Sequence, residues 1–296
     1  MLFDYFTYHS GKRRNRMNKV RRSPKVKILK ILRLIMIIFV VFATLFPVIW
    51  VLLASFKSPG DIMRVPPVVL FRPTLSNYSV VASEGFLFYS RNSLIVAISS
   101  VALSIMLGVP AAFGLSRFSI KGKGGVMLFV LSVRFMPYII FGLPLFFIMG
   151  RLGLIGTHGG LIFVYIIISL PIIIWLMKAF FDSVPRSVDE AAALDGASQF
   201  RIFWQVVLPC SLPGLATVTI LSLIFAWNEY LFALILSGRD AQTLTVGLTR
   251  FLGGMETAVR WGMLSAWSIA IITPVVLMAL LVNRQLRKGF TGMVGD

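Results

Sequence analysis

Apolar and polar positions alternate along this chain in long blocks rather than at the short periods of a soluble fold. Six apolar runs stand out: Ile31 to about Ala54, Ser93–Phe113, Val126–Ile148, Leu161–Phe181, Leu212–Leu236 and Met263–Val282. Each is near the ~20 residues a helix needs to cross a bilayer's hydrocarbon. The pattern predicts an all-helical membrane domain over 31–282, a basic leader over 1–30 and a short tail over 283–296. The first run exceeds the 7–15 apolar residues of a cleaved signal peptide and so reads as an uncleaved span. Prolines interrupt most spans: Pro47, Pro110, Pro137 with Pro144, Pro171 and Pro274. Membrane helices tolerate such breaks where neighbours or cavity water satisfy the freed carbonyls. Pro137 to Pro144, with Gly142 between them, is the best candidate for a functional break.

Between the fourth and fifth runs lies a polar island, 182–211. Ser187-Val188-Asp189-Glu190-Ala191-Ala192-Ala193-Leu194-Asp195-Gly196 predicts a short helix. Ser187 and Glu190 have capping-box spacing, and Asp189 and Glu190 sit where the helix dipole favours negative charge. Three alanines leave a smooth face, and Gly196 supplies a left-handed stop. A second helix follows, with Phe200, Phe203, Trp204 and Val207 on one face and Pro209 closing it. Taken locally, this is also the pattern of an ordinary capped helix pair in a connecting loop.

Composition fits the membrane reading, with 57% hydrophobic and only 14% charged residues. A soluble domain carries about a quarter charged residues. The net charge of +18 would suit nucleic acid, but its placement does not. Eleven of the 29 basic residues fall between Lys12 and Arg33, ahead of the first span. That is where cytoplasmic charge facing anionic membrane lipid belongs. With an even number of spans, both termini and residues 182–211 are expected on the cytoplasmic side. The outer segments then hold eight Lys/Arg against four acids, a surplus that favours an acidic cargo or an acidic binding protein. Two of them, 56–92 and 237–262, are long enough to meet something outside; they also read as plain connectors.

Most enzyme chemistry is missing. No phosphate-binding G-x-x-x-x-G-K-[ST] loop or H-E-x-x-H metal motif occurs, so no cofactor is expected on this chain. The single cysteine, Cys210, excludes an internal disulfide and a cysteine metal cluster. Two charges do lie inside spans, Arg134 and Glu229, and intramembrane charges are functional candidates by default. By helix rise, Arg134 sits roughly 12 Å and Glu229 roughly 25 Å from the inner ends of their spans. That offset disfavours a direct pair. Beside Glu229, Trp227, Asn228 and Tyr230 offer stacking faces and amide groups suited to sugar hydroxyls. An interfacial aromatic belt has the same composition.

Glu190-Ala191-Ala192, Gly196 and Val206-Val207-Leu208-Pro209 resemble the EAA loop of permease subunits in binding-protein-dependent ABC importers. Val206 stands where isoleucine is usual. Phe225-Ala226-Trp227-Asn228-Glu229-Tyr230-Leu231-Phe232-Ala233-Leu234 is similar to the fifth span of carbohydrate-type permeases, and Arg134-Phe135-Met136-Pro137 resembles their third. The ending Lys288-Gly289-Phe290-Thr291-Gly292-Met293-Val294 is similar to the tail of the maltose-type second permease. The resemblance covers most of the chain after about residue 30. It implies a type I importer fold of six spans in a bacterial or archaeal inner membrane. It also implies a second homologous permease, a dimer of ATPase subunits carrying ATP and magnesium, and an outer sugar-binding protein. On that reading Ser187, Asp189, Glu190, Ala191, Ala192, Asp195 and Gly196 meet the ATPase, while Arg134, Pro137, Trp227, Asn228, Glu229 and Tyr230 line the path. The alternative is a self-sufficient secondary transporter, a class that commonly shows internal repeats and intramembrane carboxylates for coupling ions. One carboxylate and no evident repeat count against it.

Overall fold

A computed structural model describes residues 24–252 and 257–293, with side chains from 30 to 252 and from 260 to 282. The basic leader up to residue 23 and the side chains of the tail lie outside the described residues. Every regular element among the described residues is helical. In order they are α1 Pro24–Ser55, α2 Pro59–Ile62, α3 Ser76–Ser83, α4 Phe86–Arg117, α5 Lys123–Phe135, α6 Ile139–Arg151 and α7 His158–Ser183. Then come α8 Arg186–Leu194, α9 Gln199–Cys210, α10 Leu212–Asn228, α11 Leu231–Leu236, α12 Leu244–Leu248 and α13 Thr257–Met293. The chain divides into one unit up to Val51, which is the greater part of α1, and a second from Leu52 onward.

Four helices contain uninterrupted crossings: Lys30–Ser55, Phe86–Arg117, His158–Ser183 and Arg260–Val282. Counting each of two bent pairs as one span makes the number at most six. Lys123–Phe135 and Ile139–Arg151 meet at 94°, and Gln199–Cys210 and Leu212–Asn228 meet at 77°. The third expected span, Val126–Ile148, is therefore an elbow rather than one helix. Proline chemistry explains where it bends. The ring of Pro137 drives Met136 out of the helical region, to φ −70° and ψ 138°, so α5 ends there. Pro144, by contrast, sits inside α6 without breaking it.

The expected fifth span, Leu212–Leu236, also divides. Glu229 takes an extended conformation, φ −64° and ψ 129°, after which α11 restarts at Leu231. The second, fourth and sixth spans are longer than their apolar runs, and α13 continues to Met293 through the expected tail.

The most extensive contact in the second unit is between α4 and α7. Ser100, Ser104, Gly108, Ala112 and Ser116 recur every fourth residue on α4, and all are buried. Small residues at that spacing let membrane helices approach closely, where no hydrophobic drive exists to do it. At Gly108 the approach is so close that a Cβ would lie 2.8 Å from Cγ2 of Ile173 on α7. The stripe's hydroxyls cost little, since Ser104 donates to the Ser100 carbonyl at 2.7 Å and Ser100 to the Ala97 carbonyl at 3.2 Å.

Three apolar clusters fill the unit. One, around Phe113, Ile173, Phe181, Ile202, Phe203 and Val207, lies at the end carrying 182–211. A second joins Val96, Met149, Leu161, Tyr165 and Phe232. The third gathers Tyr89, Trp227, Leu244, Phe251 and Trp267 at the opposite end. There the segment after α11 is strapped down. Asn92 donates to the carbonyls of Asp240 and Gln242 at 2.9 and 3.0 Å, Ser93 Oγ accepts from the Leu244 amide at 2.8 Å, and Trp267 donates to the Leu244 carbonyl at 2.9 Å.

Candidate coupling loop and intramembrane cavity

Two places in the second unit gather the residues singled out by sequence. The first is α8 and α9. The expected capping box does not form: α8 begins at Arg186 with Pro185 before it, and no side chain caps it. Pro185, at φ −57° and ψ 136°, takes the cap position itself and puts Ser187 inside the first turn, two residues too late to cap. The stop is as expected. Gly196 is left-handed at φ 81°, its amide bonds to the Ala193 carbonyl, and the Ala197 amide to the Ala192 carbonyl, each at 3.0 Å. This pairing is the Schellman motif that satisfies orphaned helix-end carbonyls.

Asp189 and Glu190 are neighbours with different fates. Asp189 Oδ2 lies 2.6 Å from Nε of Arg117, the last residue of α4, with the two side chains 18% and 7% exposed. Arg117 also donates to the Val184 carbonyl at 3.1 Å. Around it, Ser116 donates to Asp182 Oδ1 at 2.6 Å, Asp182 pairs with Lys178, and Arg186 reaches the Ser116 carbonyl at 3.4 Å. The start of α8 is thus clamped to the ends of α4 and α7. Glu190 faces outward, exposed, with no polar partner among the described residues. Asp195 and Leu194 are exposed as well, Leu194 to 89%.

The apolar face expected of α9 is shifted. Ile202, Phe203 and Val207 are buried, whereas Phe200 and Trp204 are 74% and 50% exposed. The cause is a π-helical turn over Ile202–Val207. Pro209 brings no N–H for the carbonyl four residues back, and a wider turn accommodates that loss. Residues five apart, 202 and 207, then share the buried side. Pro209 does not close the helix either; the chain runs on to Cys210 and bends at Ser211.

The second place is a cavity of about 350 Å³ against the breaks in α5–α6 and α10–α11. Arg134, Asn228, Glu229 and Tyr230 all line it, so the structure brings together four of the six residues expected along the path. Pro137 sits at the adjoining elbow. Trp227 points elsewhere, buried in the third cluster with its indole N–H on the Ile271 carbonyl at 3.2 Å.

Arg134 and Glu229 form no ion pair among the described residues. The Glu229 carboxylate accepts from Tyr165 Oη at 2.8 Å, the Phe232 amide at 2.9 Å and the Ala233 amide at 3.1 Å. It thereby caps α11 after the break. The Arg134 guanidinium lies over the rings of Phe225 and Tyr138, 4.6 and 5.6 Å from their centroids. Sequence reading missed Tyr138, Tyr165, Ser169 and Ser222, all in apolar runs where a lone hydroxyl carries no pattern. It missed Arg117 too, since nothing in the sequence links it to Asp189, 72 residues on.

Long apolar helices, two of the candidate spans bent, and a loop helix clamped to the ends of α4 and α7 are the features of a membrane permease. Residues 100–288 match the family described as the inner membrane component of binding-protein-dependent transport systems, and the chain belongs to that family. It is 34% identical to the sulfoquinovosyl glycerol transport system permease protein SmoH of Agrobacterium fabrum, across 83% of this chain and 87% of that one. It is 33% identical to the trehalose/maltose transport system permease protein MalG of Thermococcus litoralis, across 83% and 90%. In fold it is similar to a chain of a bacterial ABC transporter involved in the import of the acidic polysaccharide alginate, with TM-score 0.75, 24% identity and 88% and 98% coverage. A chain of the MetNI methionine ABC transporter is similar at TM-score 0.56, with 19% identity and 72% and 98% coverage. Family membership decides against the self-sufficient secondary transporter.

Proposed function

We propose that this chain is one of two homologous permease subunits in an ATP-driven importer of a sugar or oligosaccharide. A sugar-binding protein delivers cargo on one side of the inner membrane. An ATPase dimer, carrying ATP and magnesium, docks on the other against α8 and α9. The observation that carries this reading is the contrast within α8: Asp189 holds the helix to α4 while Glu190, the next residue, is presented outward with no polar partner among the described residues. A helix fixed at one face and charged on the other transmits a push. Closure of the ATPase dimer moves α8, α8 carries α4 and α7 with it, and the cavity side of the bundle opens or shuts as helix groups rock. ATP shifts that equilibrium only as far as the ATPase binds one state better than the other. Both termini and α8 face the cytoplasm. The sugar assignment is supported by the named cargo of the two relatives and by the aromatic and amide groups about Glu229.

Purification of the full chain from its own membranes tests the assembly. An ATPase and a second permease should copurify in stoichiometric amounts; isolation of this chain alone would contradict it. Topology is tested with single cysteines at the exposed positions Ser187 and Arg239, in a background lacking Cys210. An impermeant reagent should label only Arg239→Cys in intact cells. Equal labelling of both sites would overturn the orientation.

A further inference from the structure

The cavity beside Glu229 is lined by two charges that differ in what they have left to offer. Glu229 is committed: one tyrosine hydroxyl and two backbone amides already occupy its oxygens. Arg134 is not. Among the described residues no carboxylate lies within ion-pair distance of it, and its guanidinium lies over the faces of Phe225 and Tyr138. Stacking of this kind fixes the guanidinium plane and leaves its edge, with five N–H donors, open to a planar or tetrahedral anion. Two hydroxyls add to the signal. Ser222, 1% exposed, and Tyr138 both line the cavity, and among the described residues the buried Oγ of one and Oη of the other have no hydrogen-bond partner. Buried polar atoms are paired almost everywhere in proteins, so two orphans on residues that wall one cavity, beside an uncommitted arginine, point to a ligand. The volume is in the range of small-molecule sites.

We infer that this cavity receives the anionic group of a charged sugar, a carboxylate or sulfonate, with Arg134 as its two-pronged partner and the Ser222 and Tyr138 hydroxyls bonded to adjoining sugar oxygens. The inference rests on the sugar-importer reading above and narrows it to acidic cargo. It needs no pair between Arg134 and Glu229, and it gives the intramembrane cation a role, since such charges commonly mark the path of a substrate.

The test uses the complete importer with its binding protein in proteoliposomes. Three probes are compared: a galacturonate disaccharide, a 6-sulfonated glucoside and a neutral glucose disaccharide. The wild-type complex should take up at least one anionic probe, and which one separates carboxylate from sulfonate. Arg134→Gln should lower that uptake at least tenfold, and by a factor several times larger than its effect on neutral uptake. Arg134→Lys, which keeps charge without the fork, should fall between. Arg134→Gln with wild-type anionic uptake, or with equal loss for anionic and neutral probes, would overturn the assignment. So would an Arg134→Gln subunit that no longer copurifies with the second permease, because the guanidinium would then belong to a subunit contact. A wild-type complex that moves only the neutral probe overturns the anion assignment alone; one that moves no sugar overturns the importer reading with it.

Discussion

The α4–α7 pair and the α5–α6 elbow lie side by side in sequence and are built on opposite terms. Along α4, a small residue every fourth position brings α7 to the limit of contact, and the two helices run unbroken for 32 and 26 residues. The elbow has one proline-driven bend of 94°, with Leu128, Phe129, Phe135, Leu143 and Phe147 largely exposed. The first is a stiff strut, and its end at Arg117 grips the loop helix α8. The second is a joint, and it borders the cavity together with the break at Glu229. A device that couples two distant sites needs both kinds of part, since packed pairs move as units and broken helices take up the change of angle.

The contrast breaks most severely at the grip. Removing one partner of a buried ion pair strands the other, at a cost of about 3–5 kcal/mol. Arg117 is the more buried, so Asp189→Asn, which strands it, is expected to destabilise more than Arg117→Met, which strands the more exposed Asp189. Thermal denaturation of the purified importer should rank them in that order. The reverse ranking, or two unchanged midpoints, would show that α8 is held by something else.

A smaller effect separates strut from joint. A Cβ at Gly108 meets the branched Ile173 at 2.8 Å, whereas one at Gly142 on α6 meets the tip of Ile235 at 3.1 Å. Overpacking of this kind costs about 1–3 kcal/mol. Gly108→Val should therefore lower the denaturation midpoint by more than Gly142→Ala does. A mildly affected Gly108→Val would mean that α4 and α7 separate easily, and the strut would be no strut.

The smallest change is expected at the joint itself. Pro137→Ala removes the steric reason for the bend without removing any packing. Stability should hold within about 1 kcal/mol, as for most substitutions outside a packed core, while transport slows because the elbow can straighten. Measured transport at the wild-type rate would assign the bend to the surrounding bundle rather than to the proline.

Much of this organisation was legible in the chain. Apolar runs of about twenty residues and their prolines locate the crossings, because a bilayer imposes length and forbids unpaired backbone. Gly196 is legible because few other residues adopt its backbone. The split of the fifth span was not, since residues 215–237 contain neither proline nor glycine. Its break is made by the Glu229 carboxylate capping amides three and four residues ahead, and by a tyrosine from α7. The α9 face was misjudged because the reading assumed 3.6 residues per turn where Pro209 enforces a wider one. The cavity's hydroxyls and the Arg117–Asp189 pair arise from tertiary meetings that no local spacing encodes.

In the proposed importer Glu190, exposed on a clamped helix, carries the contact between this subunit and the ATPase. Losing a charged interface contact whose partner is left unpaired costs about 2–5 kcal/mol, enough to disconnect a docked subunit, whereas the Glu190 side chain has no internal bond among the described residues to lose. The decisive measurement is substrate-stimulated ATP hydrolysis by an importer carrying Glu190→Ala. The variant should reach the membrane in near-normal amounts, with an unchanged denaturation midpoint for this subunit, and stimulation by loaded binding protein should be abolished. Wild-type rates of stimulated hydrolysis and transport from that complex would contradict it.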